Sequence, residues 1–137
     1  MSSNPMRLVL PYPVSSNRYW RVVVNRKTGR AMTFVSEEAK AFKVQAGWIA
    51  KQAGIRTPLS CPVRLDVTLI PKNGTVMDLS NCLKVAEDAL QGIAYDNDRQ
   101  VKDIHLSYAD ADGVGGLIIE ISEFIPPLPP IFEQECA

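Results

Sequence analysis

The sequence predicts an α+β fold, two main helices packed on a mixed, mostly antiparallel sheet. Three observations carry the prediction. Runs of alternating apolar and polar residues lie toward the two ends of the chain, most cleanly at residues 63–69 and 116–122. Two stretches between the strand runs, about 37–53 and 78–91, instead repeat apolar residues at helical spacing. Helices that punctuate strands in this way pack on one face of a sheet.

Taken in order, residues 6–10 alternate as a short strand that stops at Pro11. Residues 11–17 are turn-rich and extended by their prolines. Residues 20–25 and 31–35 read as two strands joined by the loop 26–30. There Gly29 supplies positive φ, and Arg26, Lys27 and Arg30 put three cations at one tip.

Ser36 reads as an N-cap followed by Glu37 and Glu38, two acids that complement the helix dipole. Ala39, Phe42, Ala46, Ile49 and Ala53 then form an apolar stripe, Lys40, Lys43 and Lys51 are expected in solvent, and Gly54 ends the helix. The strand at 63–69 stops at Pro71. The second helix starts at Asp78 with Leu79, Leu83, Ala86 and Leu90 as its apolar stripe. Ser80, Lys84, Glu87 and Gln91 share an adjacent polar face. Residues 101–108 and 116–122 are strands around an Asp- and Gly-rich loop, and His105 reads as structural. The domain is expected to span 1–125, with a proline-rich tail at 126–137.

Composition narrows the class. With 137 residues, 46% hydrophobic and 22% charged, the chain is one ordinary globular domain. It has no apolar run of membrane-spanning length and no signal-peptide pattern, so a cytoplasmic protein without a membrane partner is expected. Cys61, Cys82 and Cys136 read as reduced thiols, and a single histidine argues against a His-rich metal site or a Ser-His-Asp triad. Net charge is zero, but residues 1–56 hold ten Lys or Arg against two acids. Residues 57–137 hold five against thirteen. This asymmetry hints at a polyanion-binding surface beside an acidic site.

The candidate chemistry lies in residues 78–101, DLSNCLKVAEDALQGIAYDNDRQV. Asp78 at the helix start and Asp98 before the next strand would meet around a cation if that strand lay beside the helix N-terminus. Capping explains Asp78 equally well, and a solvated turn explains Asp96, Asn97 and Asp98. Lys84 is placed to neutralise a phosphate, or to pair with Glu87. Asn17-Arg18-Tyr19-Trp20-Arg21 interleaves polar, basic and aromatic residues, a composition suited to phosphates and unstacked bases.

The run DLSN-x2-K-x3-DAL followed by YDNDRQV resembles the RusA family of Holliday junction resolvases, whose pattern is DLDN-x2-K-x3-DAL and then DD-x-Q-V. LPYPVSSNRYWR at 10–21 and the helix start around Val35, Ser36, Glu38, Ala39, Phe42 and Lys43 are similar to the family's other segments. The resemblance implies a RusA-like fold and a homodimeric endonuclease dependent on Mg2+ or Mn2+, with no small-molecule cofactor. It would nick four-way DNA junctions symmetrically. It implies Asp78 and Asp98 as catalytic and metal-binding, Lys84 as catalytic, and a basic N-terminal segment on DNA with Arg18 and Arg21. Asn17, Arg26, Lys27 and Arg30 extend that DNA-binding set. Ser80 stands where the family has an aspartate and Asn97 where it has an acid. Glu87, Asp88 or Asp96 would then supply the missing charge. The alternative is a junction-binding protein that has lost cleavage through the change at Ser80.

Overall fold

A computed structural model of the chain describes residues 6–14, 20–74 and 77–127. Its elements are β1 (Met6–Leu10), β2 (Trp20–Val24), β3 (Ala31–Val35), α1 (Glu37–Gln52), β4 (Val63–Ile70), α2 (Leu79–Leu90), a 3-10 turn (Asp98–Gln100), β5 (Val101–Tyr108) and β6 (Gly116–Glu123). The four-stranded sheet has the order β1-β6-β4-β5. β1 and β4 run antiparallel to β6, and β4 runs parallel to β5. β2 and β3 form a separate hairpin. The expected α+β architecture with a mixed, mostly antiparallel sheet is therefore present.

The strand alternation fixes which face is covered. Leu8 and Leu10 of β1, Val63, Leu65, Val67 and Leu69 of β4, and Leu117, Ile119 and Ile121 of β6 are buried, together with one side of each helix. The opposite face carries Arg7, Glu120, Asp66 and His105 in one cross-strand row. His105 is exposed, its Nε2 3.6 Å from Asp103 Oδ1.

Both helix starts are capped as the sequence predicts. Ser36 Oγ accepts from the Ala39 amide at 3.2 Å. Asp78 Oδ1 accepts from the Asn81 amide at 2.9 Å, and its Oδ2 accepts from Asn81 Nδ2 at 3.1 Å. Such caps satisfy amides that the first helical turn leaves without partners.

The buried stripes differ in detail from the expected ones. In α1, Ala39, Phe42, Ala46 and Ala50 are buried, while Ile49 is half-buried. Ala53 is exposed because it is the C-cap, past the last full turn, and Gly54 there has φ +100°. In α2 the buried residues are Cys82, Val85, Ala86, Ala89 and Leu90, while Leu79 and Leu83 are half-buried. Cys82, Ala86 and Ala89 on this face are small side chains. Lys43 is not fully in solvent either. Its Nζ donates to the Asp88 carbonyl at 3.3 Å, joining α1 to α2.

Candidate metal and DNA site

The parallel pairing of β4 and β5 decides where the acids lie. In a parallel pair the connecting helix carries the chain back along the sheet. α2 starts beyond the C-terminal end of β4, where the end of β5 also lies. There Tyr108 Oη donates to the Met77 carbonyl at 3.0 Å. Met77 is held as well by Tyr12, whose Oη accepts the Met77 amide at 3.1 Å. Asp98 precedes β5, at the opposite edge. The twelve residues of α2 span about 18 Å between the two edges. The sequence expectation that Asp78 and Asp98 meet at the helix N-terminus is therefore not met within one chain. The far end of β5, not its start, lies beside that N-terminus.

What does gather is a second set. A cavity of about 310 Å3 is lined by Trp20, Lys84, Glu87, Asp88, Gln91 and Asp98. Lys84, Glu87 and Gln91 follow at i, i+3 and i+7 on one face of α2, as their spacing predicts. Asp98 reaches them because the turn after α2 is built rigidly. Gly92 takes φ +83°, and its amide donates to the Tyr95 carbonyl at 2.7 Å. Tyr95 is fully buried, and its Oη donates to the Glu87 carbonyl at 2.9 Å.

Gln100 then fastens the acidic segment. Its Oε1 accepts the Asp96 and Asn97 amides at 2.9 and 2.8 Å, and its Nε2 donates to the Leu59 and Cys61 carbonyls at 2.7 and 2.9 Å. Asn97 caps the 3-10 turn by accepting from the Arg99 amide at 2.9 Å. The position at which the family pattern has an acid is thus filled here by a capping side chain, a role that Asn and Asp perform equally. A solvated turn is an incomplete description of this segment. Sequence reasoning missed Tyr95 and Gln100, although both belong to the YDNDRQV run; Gln100 acts on carbonyls some forty residues away.

The carboxylates of the cavity act on one another and on Tyr95. Burial raises the Glu87 carboxyl above the usual glutamate range, and the nearby Asp98 charge adds to the rise. The buried Tyr95 phenol is raised by burial and by the charges of Glu87, Asp98 and Asp88. Carboxylates that repel one another are stabilised by a positive charge between them. Among the described residues no three Asp, Glu, His or Cys side chains converge closely enough to enclose an ion. Glu87 and Asp98 suit a hard divalent ion that draws its other oxygens from water and phosphate, as Mg2+ usually does.

Asp78 is exposed at the start of α2, and Glu87 lies about 13.5 Å further along the helix axis, too far for one ion to touch both. Ser80 is exposed in the first turn of α2, nearer Asp78 than the cavity. Asp96 is exposed and is not among the lining residues. Arg26, Lys27 and Arg30 stand exposed at the hairpin loop, where the Lys27 amide donates to Asn25 Oδ1. Asn17, Arg18 and the side chain of Arg21 lie outside the described residues.

The cavity sets three carboxylates beside the ammonium of Lys84, on a domain whose N-terminal part is basic. The chain belongs to the endodeoxyribonuclease RusA family, whose model matches residues 11–122. It is 31% identical over 121 residues to the crossover junction endodeoxyribonuclease RusA of Escherichia coli (strain K12), an alignment covering 88% of this chain and 96% of that protein. The enzyme of the same name from Shigella sonnei (strain Ss046) is 30% identical over the same coverage. The crossover junction endodeoxyribonuclease rusA of Enterobacteria phage 82 is 28% identical over 121 residues, again 88% and 96% of the two chains.

Proposed function

We propose that this chain is an endonuclease that resolves four-way DNA junctions by paired, symmetric nicks, working as a homodimer with Mg2+ or Mn2+ in the cytoplasm. The observation that carries the reading is the cavity in which Lys84, Glu87, Asp88 and Asp98 meet. Glu87 and Asp98 would hold the ion, which when bound supplies Lewis-acid polarisation of the phosphate and a more acidic water. Lys84 would face a non-bridging oxygen of the scissile phosphate and offset its charge. Trp20, in the wall of the cavity, would limit water around the reacting group. Arg26, Lys27 and Arg30 would hold the DNA backbone, joined by Asn17, Arg18 and Arg21 of the N-terminal segment. Contacts of that kind fix position and branch shape more than sequence.

The homodimer has a specific support. Asp78, which the family resemblance makes catalytic, lies at the opposite end of α2 from Asp98. A site using both carboxylates would therefore take Asp78 from a second copy. A two-fold dimer would supply two such sites, one for each nicked strand. The test is nicking of a mobile four-way junction in Mg2+ by wild type, Asp98→Asn, Asp78→Asn, and a refolded mixture of the two variants. Inactive single variants and an active mixture are expected, because a mixed dimer rebuilds one intact site. An inactive mixture refutes the shared site. Full activity of Asp98→Asn refutes the assignment of the cavity.

A second reading, junction binding without cleavage, is favoured by one observation: Ser80 presents an exposed hydroxyl near Asp78. Under that reading wild type shifts junctions in a gel without nicking in either metal, and Ser80→Asp gains activity.

A further inference from the structure

We propose that Trp48 and the lysines beside it on α1 form a base-stacking platform that engages the exposed base-pair faces at the branch point of the DNA, a proposal that rests on the reading of the chain as a junction-binding protein. Trp48 is 63% exposed and Val44, one turn before it, is 61% exposed. Trp48 points nearly opposite to the buried side formed by Ala39, Phe42, Ala46 and Ala50, so packing within the domain does not call for an indole there.

The charges around the indole select the partner. Lys51 Nζ lies 5.3 Å from the centroid of the Trp48 ring, a cation–π arrangement. Lys40, Lys43 and Lys51 fall within an arc of about 80° on α1, between the line of Trp48 and the side that meets α2, with Lys40 paired to Glu37 at 3.4 Å. Lys43 closes that side by donating to the carbonyl of Asp88, a residue of the acidic cavity. A phosphate backbone lying along the lysines would thus lead from the cavity toward the indole. An apolar protein partner would not call for an ammonium group, that of Lys51, laid over the indole, with two further lysines along the same border. An aromatic face beside cations suits stacked bases and their phosphates, without sequence preference. A linear duplex offers such base faces only at its ends, whereas a four-way junction presents them where its strands exchange.

The experiment uses the two tryptophans of the chain, Trp20 and Trp48. Wild type and Trp48→Phe are titrated in EDTA with a four-way junction and with a linear duplex of the same arm sequence. Tryptophan emission and DNA anisotropy are followed together. Junction-dependent quenching that disappears in Trp48→Phe is expected. Trp48→Ala should weaken junction binding on the order of 10-fold and leave duplex binding nearly unchanged, with Trp48→Phe retaining much of the affinity. Tight junction binding without a Trp48 signal and without loss in Trp48→Ala overturns the platform. A Trp48→Ala protein that binds junction normally but changes from dimer to monomer in light scattering also overturns it, by assigning the face to a second copy. Wild type that binds neither DNA removes the junction reading itself, and the platform with it. The wild-type quenching result stands even if a variant folds poorly.

Discussion

Replacing Gln100 by alanine tests whether the acidic turn is a built structure. Four hydrogen bonds of 2.7 to 2.9 Å end on this one side chain. The two donated to the Leu59 and Cys61 carbonyls are part-buried, and losing them costs about 1 kcal/mol each. The Asp96 and Asn97 amides are exposed and return to water, costing about 0.5 kcal/mol each. The alanine side chain has no rotamer freedom to lose, which returns about 1 kcal/mol. A net loss of about 2 kcal/mol follows, read from urea unfolding at unchanged m. Gln100→Glu separates the two halves of the clamp, since it keeps the acceptor for the amides and turns a carboxylate toward two carbonyls. It should be at least as destabilising at neutral pH. Nicking activity should fall in both variants, because Asp98 loses its anchor. A loss below about 0.5 kcal/mol in Gln100→Ala would refute the clamp.

Asp78→Ala should cost about 1 kcal/mol of stability through loss of the α2 cap, whereas Asp78→Asn should be nearly neutral; thermal melts of both separate capping from chemistry. Lys84→Ala should reduce nicking on the order of 100-fold with little change in unfolding midpoint, since Lys84 is exposed. Burial pushes the Cys82 thiol up to about 11, so in native protein at pH 8 a thiol-specific reagent should leave Cys82 unlabelled until the protein unfolds, as peptide mapping would report. Hydrogen bonds from the Gly115 and Val114 amides hold the Asp112 carboxyl below the usual aspartate range. Its contribution to stability is present above the unfolded-state value and is lost as pH falls through the lower folded value. Acid unfolding of Asp112→Asn should therefore be flatter than wild type in that acidic window alone.

Much of this fold is legible locally. Ser36 and Asp78 announce helix starts because a cap depends on residues three positions away. The alternation of β4 marks its buried face because a strand has a period of two. What was not legible depends on partners distant in sequence. The pairing of Asp78 with Asp98 turns on whether β5 runs with or against β4, and no residue in either strand records that direction. The rotation of the α2 stripe toward Cys82, Val85 and Ala89 depends on which side of the helix meets the sheet and α1, which the helix sequence does not record. The role of Gln100 waits on Leu59 and Cys61. The spacing of Lys84, Glu87 and Gln91 did foretell one wall of the cavity, and Asp98 from the far turn lines the same cavity.

The strand order also governs when the domain can exist. β6 is the last strand among the described residues, yet it lies between β1 and β4 and pairs with both along its length. During synthesis, β1 has α1 to pack against but no strand to pair with until residues 116–123 have emerged from the ribosome. Up to that moment β1 and β4 both offer open edges. Completion of the sheet is then a late event, because β1 and β4 are joined only through β6. Interruption anywhere before the final strand should leave a chain unable to hold α1 and α2 in place. A chain cut short before β6 would carry every lining residue of the cavity and still lack the sheet that positions them.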